Sequence, residues 1–155
     1  MNYAWATLLF CLLLLPVHAE EPTGIQFFQG SWQQVLTEAK LQNRPIFVDI
    51  YTNWCPPCRR MAREAFPNPK VGEKFNTYFI CYQVNAEFGE GLNVARAYGV
   101  QSYPTSLFMT PTGELVHRAI GYGGIESMIT QADHALHLPK LRQFRKLKNR
   151  KQAAD

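Results

Sequence analysis

Two cysteines three positions apart, Cys55 and Cys58, stand directly after the run Ile46-Phe47-Val48-Asp49-Ile50-Tyr51. That junction restricts the chain more than anything else in it. Six residues, mostly apolar and rich in β-branched side chains, suit a strand buried on both faces. Pro56 and Pro57 fill the space between the cysteines. Prolines lack an N–H, and the first turn of a helix is where a donor has no helical partner anyway. The spacing therefore predicts a strand handing over to a helix, from about Pro56 to Ala65, with Cys55 at or next to its N-cap. Unpaired backbone N–H groups and the positive end of the helix dipole favour a thiolate there. Such placements lower a cysteine pKa from about 8.5 into the range of roughly 3.5–7.5, and the thiolate is the nucleophilic form. Cys58 lies one turn inward, close enough to bond Cys55.

Other readings of the pair are weaker. Zinc wants four N or S ligands, and the further candidates are only Cys81, His117, His134 and His137, with no second Cys-x-x-Cys. A permanent structural disulfide would not need a Trp and two prolines at a strand–helix junction. We therefore expect redox chemistry by the thiols themselves, with no cofactor and no metal.

The remaining pattern gives the frame. Ser31 and Gln34 form a capping-box pattern, and Trp32, Val35, Leu36 and Ala39 fall on one helical face. A short helix is expected around Val71 to Phe75 after Pro67-Asn68-Pro69. A strand is expected over Tyr78 to Val84, and a helix over Gly91 to Tyr98 with Leu92, Ala95 and Tyr98 inward. Thr105 to Met109 and Glu114 to Ile120 read as strands joined through Pro111-Thr112-Gly113, an antiparallel hairpin. A last helix runs from about Gly124 to Leu138. Helical crossovers between strands imply an α/β fold, with a central mixed sheet of four to five strands and helices on both faces.

With these elements placed, the stretch Asp49 to Cys58 resembles the active site of the thioredoxin superfamily. Tyr103-Pro104-Thr105 before an apolar strand resembles that family's cis-proline loop, and Gly113 and Gly121 match family glycines. The likeness covers roughly residues 31–138 and implies a thioredoxin-like fold. It also implies roles. Cys55 would attack, and Cys58 would resolve the mixed disulfide. Asp49 would be a buried carboxylate moving a proton to or from Cys58; burial raises a carboxyl pKa, which suits proton exchange near neutral pH. Pro104 would be cis, so that the backbone of Tyr103 pairs with an extended client. Trp54, Pro56, Tyr103, Pro104 and Thr105 would meet the substrate, with Trp54 shielding the thiols. Two departures stand out. The lysine many members carry near the buried acid has no match, and Cys81 is aligned in its place. Tyr103 is bulky beside the proline.

The ends carry separate signals. Ala4 to Leu15 is apolar apart from Thr7 and is short for a membrane span, which takes roughly 20 residues. Pro16 breaks it, and Val17-His18-Ala19 offers small residues where a signal peptidase reads. We read 1–19 as a signal peptide, with an uncleaved anchor as the alternative. Residues 20–30 form a lead. Phe10 before Cys11 argues against lipidation. Cleavage would leave Cys55, Cys58 and Cys81, an odd count that does not read as a disulfide framework. Residues 139–155 hold seven Lys/Arg and one acid, whereas residues 1–138 sum to −2. The body is therefore near neutral, which excludes a nucleic-acid surface. The basic tail, 139–155, reads as a solvated extension dispensable for chemistry, or as a short amphipathic helix (Leu141, Phe144, Leu147) in peripheral contact with a membrane.

The expected protein is a monomeric, exported thiol–disulfide oxidoreductase, in the periplasm or else secreted. The first helix leading to Arg44-Pro45 and the Pro-Asn-Pro insert resemble the soluble domains of membrane disulfide-reductase relays, which implies that it reduces disulfide-containing client proteins and is reduced in turn by a membrane-bound electron relay. A disulfide oxidase or isomerase, and a chaperone with idle thiols, are the alternatives. If Cys55 is the nucleophile, limiting iodoacetamide labels it well ahead of Cys58 in the reduced protein, and Cys58→Ser, not Cys55→Ser, traps a mixed disulfide. Equal labelling rejects the assignment.

Overall fold

The computed structural model describes residues 23–152, with side chains as far as residue 145. The expected signal peptide lies outside the described residues, as does the side chain of Leu147. Six helices and four strands follow in order: α1 (Trp32–Gln42), β1 (Ile46–Tyr51), α2 (Pro56–Glu64), α3 (Pro69–Tyr78), β2 (Ile80–Asn85), α4 (Glu90–Ala97), β3 (Thr105–Met109), β4 (Leu115–Ile120), α5 (Ile125–His137) and α6 (Pro139–Gln152). The sheet order is β2-β1-β3-β4. β1 runs parallel to β2 and antiparallel to β3, and β3–β4 is the expected antiparallel hairpin. In the lead, Phe27 makes a single bridge to Cys81 at the outer edge of β2. This is the thioredoxin-like α/β architecture, with a four-stranded mixed sheet.

Strand β1 is central, and its alternation divides the core in two. Ile46, Val48 and Ile50 face Val35 and Ala39 of α1 and Val94 and Ala95 of α4. Phe47 faces the other way, into a cluster built by Met61 of α2, Phe75 of α3, Phe108 of β3 and Ala132 and Leu136 of α5. Four aromatic rings, Phe47, Phe75, Phe79 and Phe108, pack there with centroids 4.6–6.3 Å apart. Asp49 shares the face of Phe47, which places it on the side that α2 covers.

Several local expectations are corrected. Pro67-Asn68-Pro69 starts a helix rather than merely interrupting one. The Asn68 side-chain oxygen accepts from the N–H groups of Lys70 and Val71, and Pro69 occupies the first turn. Helix α3 consequently extends to Tyr78, and β2 begins at Ile80. In α4 the buried stripe is Gly91, Val94 and Ala95, while Leu92 is exposed. Gly91 sets that register, because a Cβ there would lie 1.9 Å from the carbonyl oxygen of Asn85.

The largest correction concerns the basic tail. Pro139 does not detach it from the domain but stands in the first turn of α6, immediately after α5. Leu141 and Phe144, three residues apart, turn into the same core cluster as Phe47, and Lys140 pairs with Glu114. The reading as a solvated extension fails over this first part, because an apolar pair at helical spacing is buried where α6 folds back. Leu141 is fully buried. Leu141→Ala is therefore expected to cost about 2–5 kcal/mol, read as a lowered denaturation midpoint. Removing residues 140–155 should also lower the melting temperature, and an unchanged midpoint in either variant would contradict the packing.

Candidate active site at the end of strand β1

The chain leaves β1 at Tyr51 and turns through Thr52-Asn53-Trp54 into α2. Cys55 is the N-cap of α2, with extended backbone dihedrals (φ −74°, ψ 111°), and its Sγ accepts the N–H of Cys58 at 3.2 Å. That contact is the helix-start geometry the prolines predict. The turn is tied down by Cys55 N–H to Thr52 O (3.3 Å), Arg59 to Asn53 O (2.9 Å) and Asn85 to the Asn53 side chain (3.1 Å). Cys55 and Cys58 are joined as a disulfide, with Cα atoms 5.3 Å apart. They are only 2% and 6% exposed.

β3 is antiparallel to β1 and starts where β1 ends, with Thr105 opposite Ile50. The loop before β3 is thereby carried to the disulfide. Its Tyr103–Pro104 peptide is cis, the carbonyl of Pro104 accepts the N–H of Gly121 (2.8 Å), and Thr105 Oγ1 donates to Ser102 O (2.7 Å). Trp54 and Tyr103 meet edge to face with ring centroids 6.1 Å apart. Trp54 is not a core aromatic: it is 63% exposed, and its indole N–H donates to Glu87 at 2.8 Å. The cysteines, Trp54, Pro56, Tyr103, Pro104 and Thr105 thus gather at one end of the sheet.

Asp49 is 2% exposed, which removes the reading as a solvent-facing strand residue. Its Oδ2 accepts from Gln83 Nε2 at 2.9 Å, and its Oδ1 is buried without a hydrogen-bond partner. Burial pushes the carboxyl up to about 7, and the Gln83 hydrogen bond offsets part of that rise. Gln83 is the residue that sequence reasoning missed. Cys81 was aligned beside the acid, but the β1–β2 register sets Asp49 opposite Gln83 and Phe47 opposite Cys81. Counting alternate residues of β2 from a known pairing would have found it. Cys81 is buried in the aromatic core, and its thiol is pushed up by burial. The other zinc candidates do not assemble. His117 and His134 lie ring to ring at 4.7 Å, but His117 is bonded to Gln131. Among the described residues no group of three or more His, Cys, Asp or Glu side chains could hold a metal.

The comparisons agree with this geometry. The Thioredoxin-like domain family matches residues 32–135. Thioredoxin H4 of Arabidopsis thaliana is 34% identical over 90 residues, covering 58% of this chain and 71% of that protein. Thiol:disulfide interchange protein DsbD of Yersinia pestis is 30% identical over 88 residues, 56% of this chain but only 14% of DsbD. A solution structure from Bacteroides thetaiotaomicron, provisionally termed a disulphide-isomerase, superposes with a TM-score of 0.67 at 31% identity. It covers 76% of this chain and 98% of that one.

A carboxyl raised in the fold stabilises only while protonated. Its contribution is complete below the unfolded value near 3.9 and is lost as the pH rises through about 7. Asp49→Asn removes that loss. The oxidised variant should gain on the wild type between pH 4 and pH 8, by up to about 4 kcal/mol, as measured by denaturant unfolding. Parallel stability curves would show that Asp49 is not perturbed.

Proposed function

The chain belongs to the thioredoxin-like family and is a thiol–disulfide oxidoreductase, and from that premise we propose that it reduces protein disulfides outside the cytoplasm. The observation carrying this reading is a disulfide at a helix start with a carboxyl near pKa 7 buried beneath its helix. In the reduced protein the Cys55 thiolate attacks one sulfur of a client disulfide and forms a mixed disulfide, releasing the client's other sulfur as a thiolate. Cys58 then gives its proton to Asp49, attacks Cys55 Sγ and displaces the client's second thiolate. The client leaves with two electrons gained, and the Cys55–Cys58 bond is restored.

Client binding falls to the rim. An extended segment pairs with the backbone of Tyr103 in front of Pro104, flanked by Trp54, Pro56 and Thr105. The exposed indole and the tyrosine ring give the groove one apolar wall. The reducing direction is supported by the likeness of Trp-Cys-Pro-Pro-Cys over a buried acid to reducing members of the superfamily.

Export and the electron source belong to the same proposal. The apolar segment ending at Ala19 supports a cleaved signal and a periplasmic site. The partial likeness to a thiol:disulfide interchange protein supports disulfide exchange with another protein as the electron source, and a membrane-bound reductase is the donor we propose. The basic residues of α6 suit peripheral contact with an anionic membrane, while Leu141 and Phe144 are committed to the core. We take the working unit to be a monomer. The name of the Bacteroides relative favours an isomerase as the second reading. A redox titration separates them. A reductase should show a potential near about −270 mV and speed insulin reduction, whereas a value near about −180 mV would favour the isomerase and one near about −120 mV an oxidant.

A further inference from the structure

The resolving step leaves a proton on Asp49, and that group is sealed from solvent. Its two cross-strand neighbours on the same sheet face differ in what they do. Gln83, on β2, is already bonded to Oδ2. Ser106, on β3, lies directly opposite Asp49. Opposed residues of an antiparallel pair hold their Cβ atoms about 4.5–5.5 Å apart. On this face β3 otherwise presents only Phe108, so a small hydroxyl at 106 interrupts an apolar surface. Ser106 is 7% exposed. It lines a cavity of about 580 Å³ between β3, β4, α2 and α5. The cavity also touches Met61, one turn beyond Cys58 on α2, and Ser127 and Gln131 of α5 give it polar walls. A water needs room and two to four polar partners, and the cavity offers both.

We propose that Ser106 is the positioning residue through which Asp49 exchanges its proton with solvent, by way of water held in this cavity. The proposal rests on the proton-transfer reading of Asp49. Cys58–SH passes its proton to the Asp49 carboxylate as its sulfur bonds to Cys55 Sγ, and the Cys55–client bond breaks with its electron pair leaving on the client sulfur. The neutral Asp49 carboxyl, through the unpartnered Oδ1, then gives the proton to water ordered by Ser106 Oγ, which restores the carboxylate. Reduction of the Cys55–Cys58 disulfide runs the route inward.

Other groups near this path do not take the part. Cys81 lies two residues before Gln83 on the same face, within the aromatic core. At the cavity, Arg118 directs its guanidinium to the carbonyls of Tyr98 and Gly99, and Tyr122 lies under Arg60. Ser127, Met128 and Gln131 of α5 do not titrate.

The test is multiple-turnover reduction of a peptide disulfide by the full chain with dithiothreitol as reductant, followed from pH 5.5 to 9, so that Asp49 must lose and regain its proton in every cycle. Ser106→Val removes the hydroxyl but is bulkier than serine, and Ser106→Thr, nearly the size of valine, controls for that bulk. The Val variant should slow turnover on the order of tenfold near pH 7, part of what a positioned acid–base group contributes. Ser106→Thr should restore the rate. The slowing should vanish in an Asp49→Asn background, which is itself slow. A Ser106→Val variant as fast as wild type, with Asp49→Asn slow, overturns the port and leaves the Asp49 role intact. Equal slowing by Ser106→Val in both backgrounds would make Ser106 merely structural. A fast Asp49→Asn removes the proton-transfer reading itself. Should Ser106→Val fail to fold, Ser106→Ala is read by the same criteria.

Discussion

Strand β1 is buried on both faces, and a buried strand must pair every backbone group and choose a side for every side chain. Its alternation sends Ile46, Val48 and Ile50 to one layer and Phe47 and Asp49 to the other. The parallel pairing to β2 and antiparallel pairing to β3 then fix which residues flank each position. A slip of one residue would move Asp49 to the face of α1 and α4, away from the helix that carries Cys58, and would bury a carboxyl among aliphatic side chains with no amide donor. The position of the acid relative to the thiols is thus a consequence of the sheet, not of the loop that holds the cysteines.

The two halves of the chemistry use opposite electrostatics. At the start of α2 the N–H groups and the helix dipole favour charge on sulfur. Beneath it, desolvation disfavours charge on Asp49. A proton can pass between a thiol and a carboxyl when environment draws their affinities together. Ordinary values, about 8.5 and 3.9, are far apart. Burial closes much of that gap from the carboxyl side, and Gln83 limits how far it goes. A neutral amide in that position supports the carboxylate with one hydrogen bond, where a lysine would add a full charge.

The sequence carried much of this arrangement because local rules decide it. The Cys55-Pro56-Pro57-Cys58 start of α2, the Ser31 cap with its Gln34 partner, and the hairpin at Gly113 each follow from a few adjacent residues. The cis bond at Pro104 came instead through resemblance. What sequence reading lost was register and distance. Gln83 and Ser106 flank Asp49 only through pairings with strands 34 and 57 positions away, and no local pattern marks them. Helical spacing fixes a stripe in α4 only up to a rotation, so it suggests Leu92 inward, and the close approach of Gly91 to Asn85 sets the actual rotation. The fate of Leu141 and Phe144 was misjudged because a proline ends one helix and begins another equally well.

That last feature bears on how the protein reaches its folded state during synthesis. Ile25, Phe47, Leu141 and Phe144 belong to one cluster, so the core on this side of the sheet is bounded by segments almost 120 residues apart in the chain. Until residue 144 has emerged from the ribosome, the cluster lacks its last apolar side chains and cannot close. The layer that holds Phe47 is therefore closed by the last of the described helices, however early strand β1 is made.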